Sequence, residues 1–137
     1  MSIPFWCVFI AAVLIYIARM PVSKAMKEQG GYNNHEPRAQ QAQLTGVGAR
    51  AVAAHQNSLE AFMLFAVGVL MAHTTQTQGW FIDLLAIVFI AARILYLPLY
   101  WNDKASMRSL VWMVGLVCSL LLMLSPVYRY WLLSTIR

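Results

Sequence analysis

Apolar side chains run along this chain in four long stretches, residues 2–16, 51–72, 80–101 and 110–127, and the polar positions gather mostly between and after them. A spanning helix needs about 20 mostly apolar residues, because ~30 Å of hydrocarbon is crossed at ~1.5 Å per residue. Inside that layer every backbone N–H and C=O has to be paired within its own segment, which selects helices. The pattern predicts four membrane spans at about residues 2–19, 47–73, 80–101 and 107–127.

Four such helices use nearly all of the 137 residues. The longest loop, residues 20–45, is too short to bury a core of its own. The expectation is therefore one domain, residues 1–137: an all-α membrane protein built as a four-transmembrane-helix bundle. A bundle this small has little interior, so a binding site is expected between subunits, in a homo-oligomer.

Composition agrees with lipid as the solvent. Charged residues make up 11% of the chain and hydrophobic ones 61%, where soluble domains carry about 25% charged residues. The net charge of +5 reads mainly as a topology signal. Arg19, Lys24, Lys27 and Arg38 lie in the first connection, and Lys104 and Arg108 in or beside the third. Residues 73–79 carry no Lys or Arg, while Arg129 and Arg137 follow the last span and vote the other way. The bias places the first and third connections in the cytoplasm and both termini outside. The basic residues are too dispersed for a nucleic-acid surface. The first span lacks a basic n-region and an evident A-x-A cleavage site, so it reads as a retained helix and not as a signal peptide. Cys7 and Cys118 lie in separate spans and read as small packing residues. No zinc-ligand spacing is present, so no metal is expected.

The first connection contains Gly30-Gly31-Tyr32-Asn33-Asn34-His35-Glu36-Pro37-Arg38, dense in turn formers. Residues 38–44 are helix-compatible, and Thr45-Gly46 could cap the second span. An ordinary solvated loop and an ordered lid over a cytoplasmic site are both open readings.

Candidate chemistry lies in the exceptions to apolarity, since ionisable groups within a span nearly always face protein or water. In the second span Arg50, Asn57 and Glu60 fall within ~80° of arc at about 100° per residue. Gln56 sits at the edge of that stripe, and His55 points elsewhere. In the third span Arg93, Tyr96 and Tyr100 share one face. Pro98 interrupts the hydrogen-bond ladder there and deprives the Ile94 carbonyl of its usual donor. Antiparallel threading then brings Arg50, Asn57, Glu60, Arg93, Tyr96, Tyr100 and Arg108 to one end of the bundle. Three arginines and one glutamate of that cluster leave room for an anionic guest. Each member also has a plainer reading. Glu60 and Arg93 could form a buried ion pair that fixes register, Asn57 a bridge between helices, and the tyrosines an interfacial belt.

The run Arg50-Ala51-Val52-Ala53-Ala54-His55-Gln56-Asn57-Ser58-Leu59-Glu60 resembles the second-helix signature of the membrane-associated proteins in eicosanoid and glutathione metabolism, the MAPEG family. The run Ala92-Arg93-Ile94-Leu95-Tyr96-Leu97-Pro98-Leu99-Tyr100 looks like that family's third-helix motif, and Arg108-Ser109 like the opening of its fourth helix. The Tyr32–Arg38 pattern and the small size are most similar to bacterial members. The resemblance implies a homotrimer in the inner membrane with sites between subunits. It implies glutathione as co-substrate, with a lipophilic small molecule arriving from membrane lipid. It further implies Arg50, Asn57, Glu60, Tyr96 and Tyr100 as glutathione-binding residues, Arg108 as the catalytic residue that stabilises the thiolate, and Arg93 as a structural partner of Glu60. One departure stands out. Glutathione-using members usually carry a further Arg before the Ala-His pair, and here that position is Ala53. The implied function is a glutathione or small-thiol transferase or peroxidase-like protein acting on lipophilic electrophiles. The alternative is a non-catalytic lipid-binding or scaffolding protein of the same fold.

Overall fold

A computed structural model of the chain describes residues 1–135. Arg137, one of the two dissenting charges, lies outside the described residues. The helices are α1 (Ile3–Glu28), α2 (Pro37–Ala42), α3 (Gly46–Thr74), α4 (Trp80–Trp101) and α5 (Ala105–Thr135). α1, α3, α4 and α5 are each long and apolar enough to cross a membrane, so the chain is an integral, multi-pass membrane protein. α1 packs on α3 and α4, and α5 packs on the same two helices. α1 and α5 do not meet among the described residues. The spans thus stand in the cyclic order α1, α3, α5, α4, with α3 and α4 touching across the diagonal.

The seams are lined by small residues. α3 buries Gly48, Ala51, Ala54 and Ser58 along one side, and a Cβ added to Gly48 would lie 2.9 Å from the Ala25 Cβ of α1. A Cβ on Gly68 would lie 2.9 Å from the Leu122 Cβ of α5. Close backbone approach of this kind supplies the van der Waals packing that holds membrane helices together, because lipid offers no hydrophobic drive between them. At the centre, Phe65 of α3 and Phe89 of α4 stack with ring centroids 3.9 Å apart. Many large apolar side chains, among them Leu70, Leu95 and Leu124, are exposed on the outside of the bundle, as a lipid solvent allows.

α1 runs to Glu28, well beyond the expected end near residue 19. The reason is amphipathic. Ala18, Val22 and Met26 stay buried at i, i+4, i+8, Ala18 in a cluster with Ala54 and Leu97 and the other two with Leu44 and Ala51, while Lys24 and Lys27 face outward. Pro21 lies inside the helix without ending it. The expected 20–45 loop is therefore mostly helix.

What remains of that connection is ordered by one side chain. Gln40 Nε2 donates to the carbonyls of Met26 (3.2 Å) and Gly31 (2.7 Å), and its Oε1 accepts from the Asn33 N–H (2.9 Å). α2 packs on α1 and α3 alone among the described elements, so within one protomer the connection is not a lid over Arg108. Thr45 occupies the N-cap position of α3 without a side-chain capping bond. Gly79 caps α4 at φ 139°, a conformation that suits glycine alone.

Two arginines close helix ends. Arg50 Nε donates to the Trp101 carbonyl at the end of α4 (3.2 Å). At the opposite end of the bundle Arg129 donates to the Thr75 carbonyl at the end of α3. Both place a cation at a helix C-terminus, where carbonyls lack intrahelical donors and the dipole is negative.

Candidate functional site

Arg93 is the centre of the site. It lies on the face of α4 that turns toward α3, and it is 5% exposed. Its Nη1 donates to Asn57 Oδ1 (3.0 Å) and its Nη2 to Ser58 Oγ (3.1 Å). The Ser58 hydroxyl proton is itself committed to the Ala54 carbonyl (2.8 Å), which leaves its lone pairs to the guanidinium. The guanidinium carbon stands 4.1 Å from the centre of the Tyr96 ring.

The expected Glu60–Arg93 ion pair is not formed in the protomer. Among the described residues the ion pair joins Lys24 and Glu28 at 4.0 Å. Glu60 is exposed, and among the described residues its Oε1 accepts from Gln56 Nε2 at 3.5 Å. Helix geometry explains the choice. Glu60 lies about 160° round α3 from Ser58, and Arg93 leans to the Ser58 side of Asn57, into the seam. Glu60 and Arg93 nonetheless line one cavity of about 120 Å³ between α3, α4 and α5, together with Asn57, Trp112 and Ser119.

From Arg93 a column of two rings, closed by a second cation, leads to the end of the bundle. The Tyr96 and Tyr100 rings meet edge to face with centroids 5.5 Å apart. The Arg108 guanidinium carbon then sits 4.2 Å from the centre of the Tyr100 ring. Tyr96 is buried, whereas Tyr100 and Arg108 are half-buried. Pro98 leaves α4 intact through Trp101, and its own carbonyl accepts both the N–H and the Nδ2 of Asn102. α5 begins at Ala105, so Arg108 stands in its first turn with its N–H bonded to the Lys104 carbonyl (2.9 Å).

The stripe residues of α3 and α4 thus converge, with divided duties. Asn57, Arg93, Tyr96, Tyr100 and Arg108 are linked by direct contacts. Arg50 stands apart, with Nε on the α4 terminus. Glu60 shares a cavity and no bond with Arg93. His55 serves a different seam, its Nδ1 donating to the Ile15 carbonyl of α1 (3.0 Å). Ser58 was not anticipated, although its spacing from Gly48, Ala51 and Ala54 marks it as the polar member of a small-residue seam. Ala53, beside this seam, is half-buried.

Chemically, the arrangement offers a cation at the half-exposed end of an aromatic column and a second cation at its buried end. Such a gradient suits an anionic guest whose less polar part reaches inward. No curated protein and no solved structure matches the chain. The MAPEG family model matches residues 3–128, from the first turn of α1 into the last part of α5, and the chain belongs to the MAPEG family.

Proposed function

We propose that this protein is a membrane-embedded transferase or peroxidase-like enzyme that joins a small anionic thiol, glutathione in the first instance, to lipophilic electrophiles. The MAPEG family is one of glutathione-related membrane proteins. The observation that carries the reading is Arg108: half-buried, laid on Tyr100, and without a carboxylate in ion-pair distance among the described residues. A thiol of ordinary pKa near 8.5 is only a few per cent ionised at neutral pH, and a neighbouring guanidinium favours the thiolate. The thiolate sulfur would attack an electrophilic carbon arriving from the bilayer, and the leaving group would depart with the bonding pair. Tyr96, Tyr100, Asn57 and Glu60 would line the peptide. Arg50 retains its two terminal nitrogens for a carboxylate while Nε holds Trp101.

The reading includes a homotrimer in a bacterial inner membrane, with the Arg108 end at the cytoplasmic leaflet and both termini outside. Exposed Glu60, with Leu59, Met63 and Val67 on α3, is the surface on which a second copy would complete the site. Ala53 favours a second reading, a lipid-binding or scaffolding subunit without turnover, because one expected cation is missing.

Calorimetry with glutathione and conjugation of an aryl halide test the proposal together. Arg108→Ala is expected to cut conjugation by about tenfold or more, with a smaller loss of glutathione affinity and disappearance of thiolate ultraviolet absorbance. Wild-type protein that shows neither conjugation nor thiolate absorbance at saturating glutathione would transfer the assignment to the lipid-binding reading.

A further inference from the structure

A second built cavity lies at the other end of the bundle, away from Arg108. It has a volume of about 270 Å³ and opens between the start of α1, the end of α3 and the start of α4. Its floor is apolar, formed by the buried Val69, Ala72 and Ile82. Phe5 and His73 form an aromatic wall, their rings meeting edge to face with centroids 4.9 Å apart. Asp83 lines the same cavity, half-buried.

The Asp83 carboxylate has no hydrogen bond or ion pair to any described residue. Its place in the first turn of α4 suits the helix dipole, yet the dipole supplies no donor to the oxygens. Thr77, the buried hydroxyl nearby, is engaged with Thr75 Oγ1 at 3.0 Å. No Lys or Arg lines the cavity.

One carboxylate beside an aromatic wall and above an apolar floor is the chemistry that receives an organic ammonium. The carboxylate accepts charge-assisted N–H bonds, a ring face attracts the cation, and the floor takes up the hydrocarbon. An anionic guest meets Asp83 unfavourably, and a neutral one leaves the carboxylate without a partner. The volume falls below the roughly 300–1,000 Å³ of sites for drug-sized ligands, which limits the guest to about one ring or a short chain. We propose that this cavity is a binding site for small amphipathic primary amines. It shares no residue with the arginine column and does not depend on the thiol reading.

The test uses the full-length protein in lipid nanodiscs, with 4-fluorobenzylamine followed by fluorine NMR against empty nanodiscs. The matched alcohol, 4-fluorobenzyl alcohol, and the matched acid, 4-fluorobenzoate, serve as neutral and anionic probes. Saturable binding of the amine is expected, and of the other two at most weakly. Asp83→Asn should weaken amine binding about tenfold or more, the worth of a charge-assisted hydrogen bond, whereas Asp83→Glu should keep it within a few-fold. Retained binding in Asp83→Glu separates loss of charge from loss of fold. Amine binding no better than to empty nanodiscs, or equal binding by wild type and Asp83→Asn, would overturn the proposal.

Discussion

Arg93 is a positive charge held midway along a spanning helix by neutral oxygens. Two of its nitrogens are satisfied by Asn57 and Ser58, and Tyr96 offers its ring to the cation. Removing either oxygen leaves a buried charged donor without its partner, which costs about 1–3 kcal/mol. Asn57→Ala and Ser58→Ala are each expected to lower stability by that amount, read as thermal unfolding in mild detergent. Glu60→Gln, exposed and outside ion-pair distance, should stay within about 0.5 kcal/mol. A loss from Glu60→Gln as large as from Asn57→Ala would make Glu60 the counter-ion after all. That Arg93 and α3 meet was readable from the two polar stripes, because each stripe follows from helical periodicity alone. Which oxygen Arg93 takes was not readable. Asn57, Ser58 and Glu60 all lie within reach of a long side chain, and the rotation of α3 decides among them.

The helices divide into what hydropathy shows and what packing adds. The four spans were plain in the sequence because crossing lipid depends on a local sum of side-chain transfer energies. The continuation of α1 through residues 20–28 was hidden, since two buried residues, Val22 and Met26, among charged neighbours make a weak local signal. Their burial comes from α3 and Leu44. The seams were hidden for the same reason: glycine in a span is ambiguous until its neighbour is known. Gly68 shows what the seam requires. A Cβ there would meet the Leu122 Cβ at 2.9 Å and the Ser119 carbonyl at 3.1 Å, a side-chain root and a backbone atom that cannot swing aside. Gly68→Leu is expected to cost about 1–3 kcal/mol through overpacking, measured by unfolding in detergent. Gly115→Ala is the mild comparison, because its Cβ would find ordinary contacts at 3.7 Å and beyond. Similar losses for both would remove the close α3–α5 approach as the cause.

For the whole protein the charge bias and the structure bear on each other. Arg129 argued against the proposed orientation, yet its guanidinium closes the α3 terminus at Thr75. A charge retained for a helix end says little about which side of the membrane it prefers. The basic residues of α1, with Lys104 and Arg108, are the ground for the proposed cytoplasmic side. Ser23 is exposed on the outward face of α1, and the native Cys7 and Cys118 are buried. Ser23→Cys is therefore expected to resist a membrane-impermeant maleimide in intact cells and to label after permeabilisation. Labelling in intact cells would invert the protein and put the arginine column on the outer side.

The neutral cradle of Arg93 also bears on how the chain reaches the membrane. α4 on its own would bring an arginine to mid-bilayer, a cost of about 2.5–3.5 kcal/mol on insertion scales. α3 is the least apolar of the four spans, and it carries Asn57 and Ser58, the groups that take that charge. Only the tight turn between Thr74 and Trp80 separates the two helices. Entering lipid as a joined hairpin, they cancel each other's polar burden before either faces the hydrocarbon alone, so biogenesis favours release of α3 and α4 as a single unit.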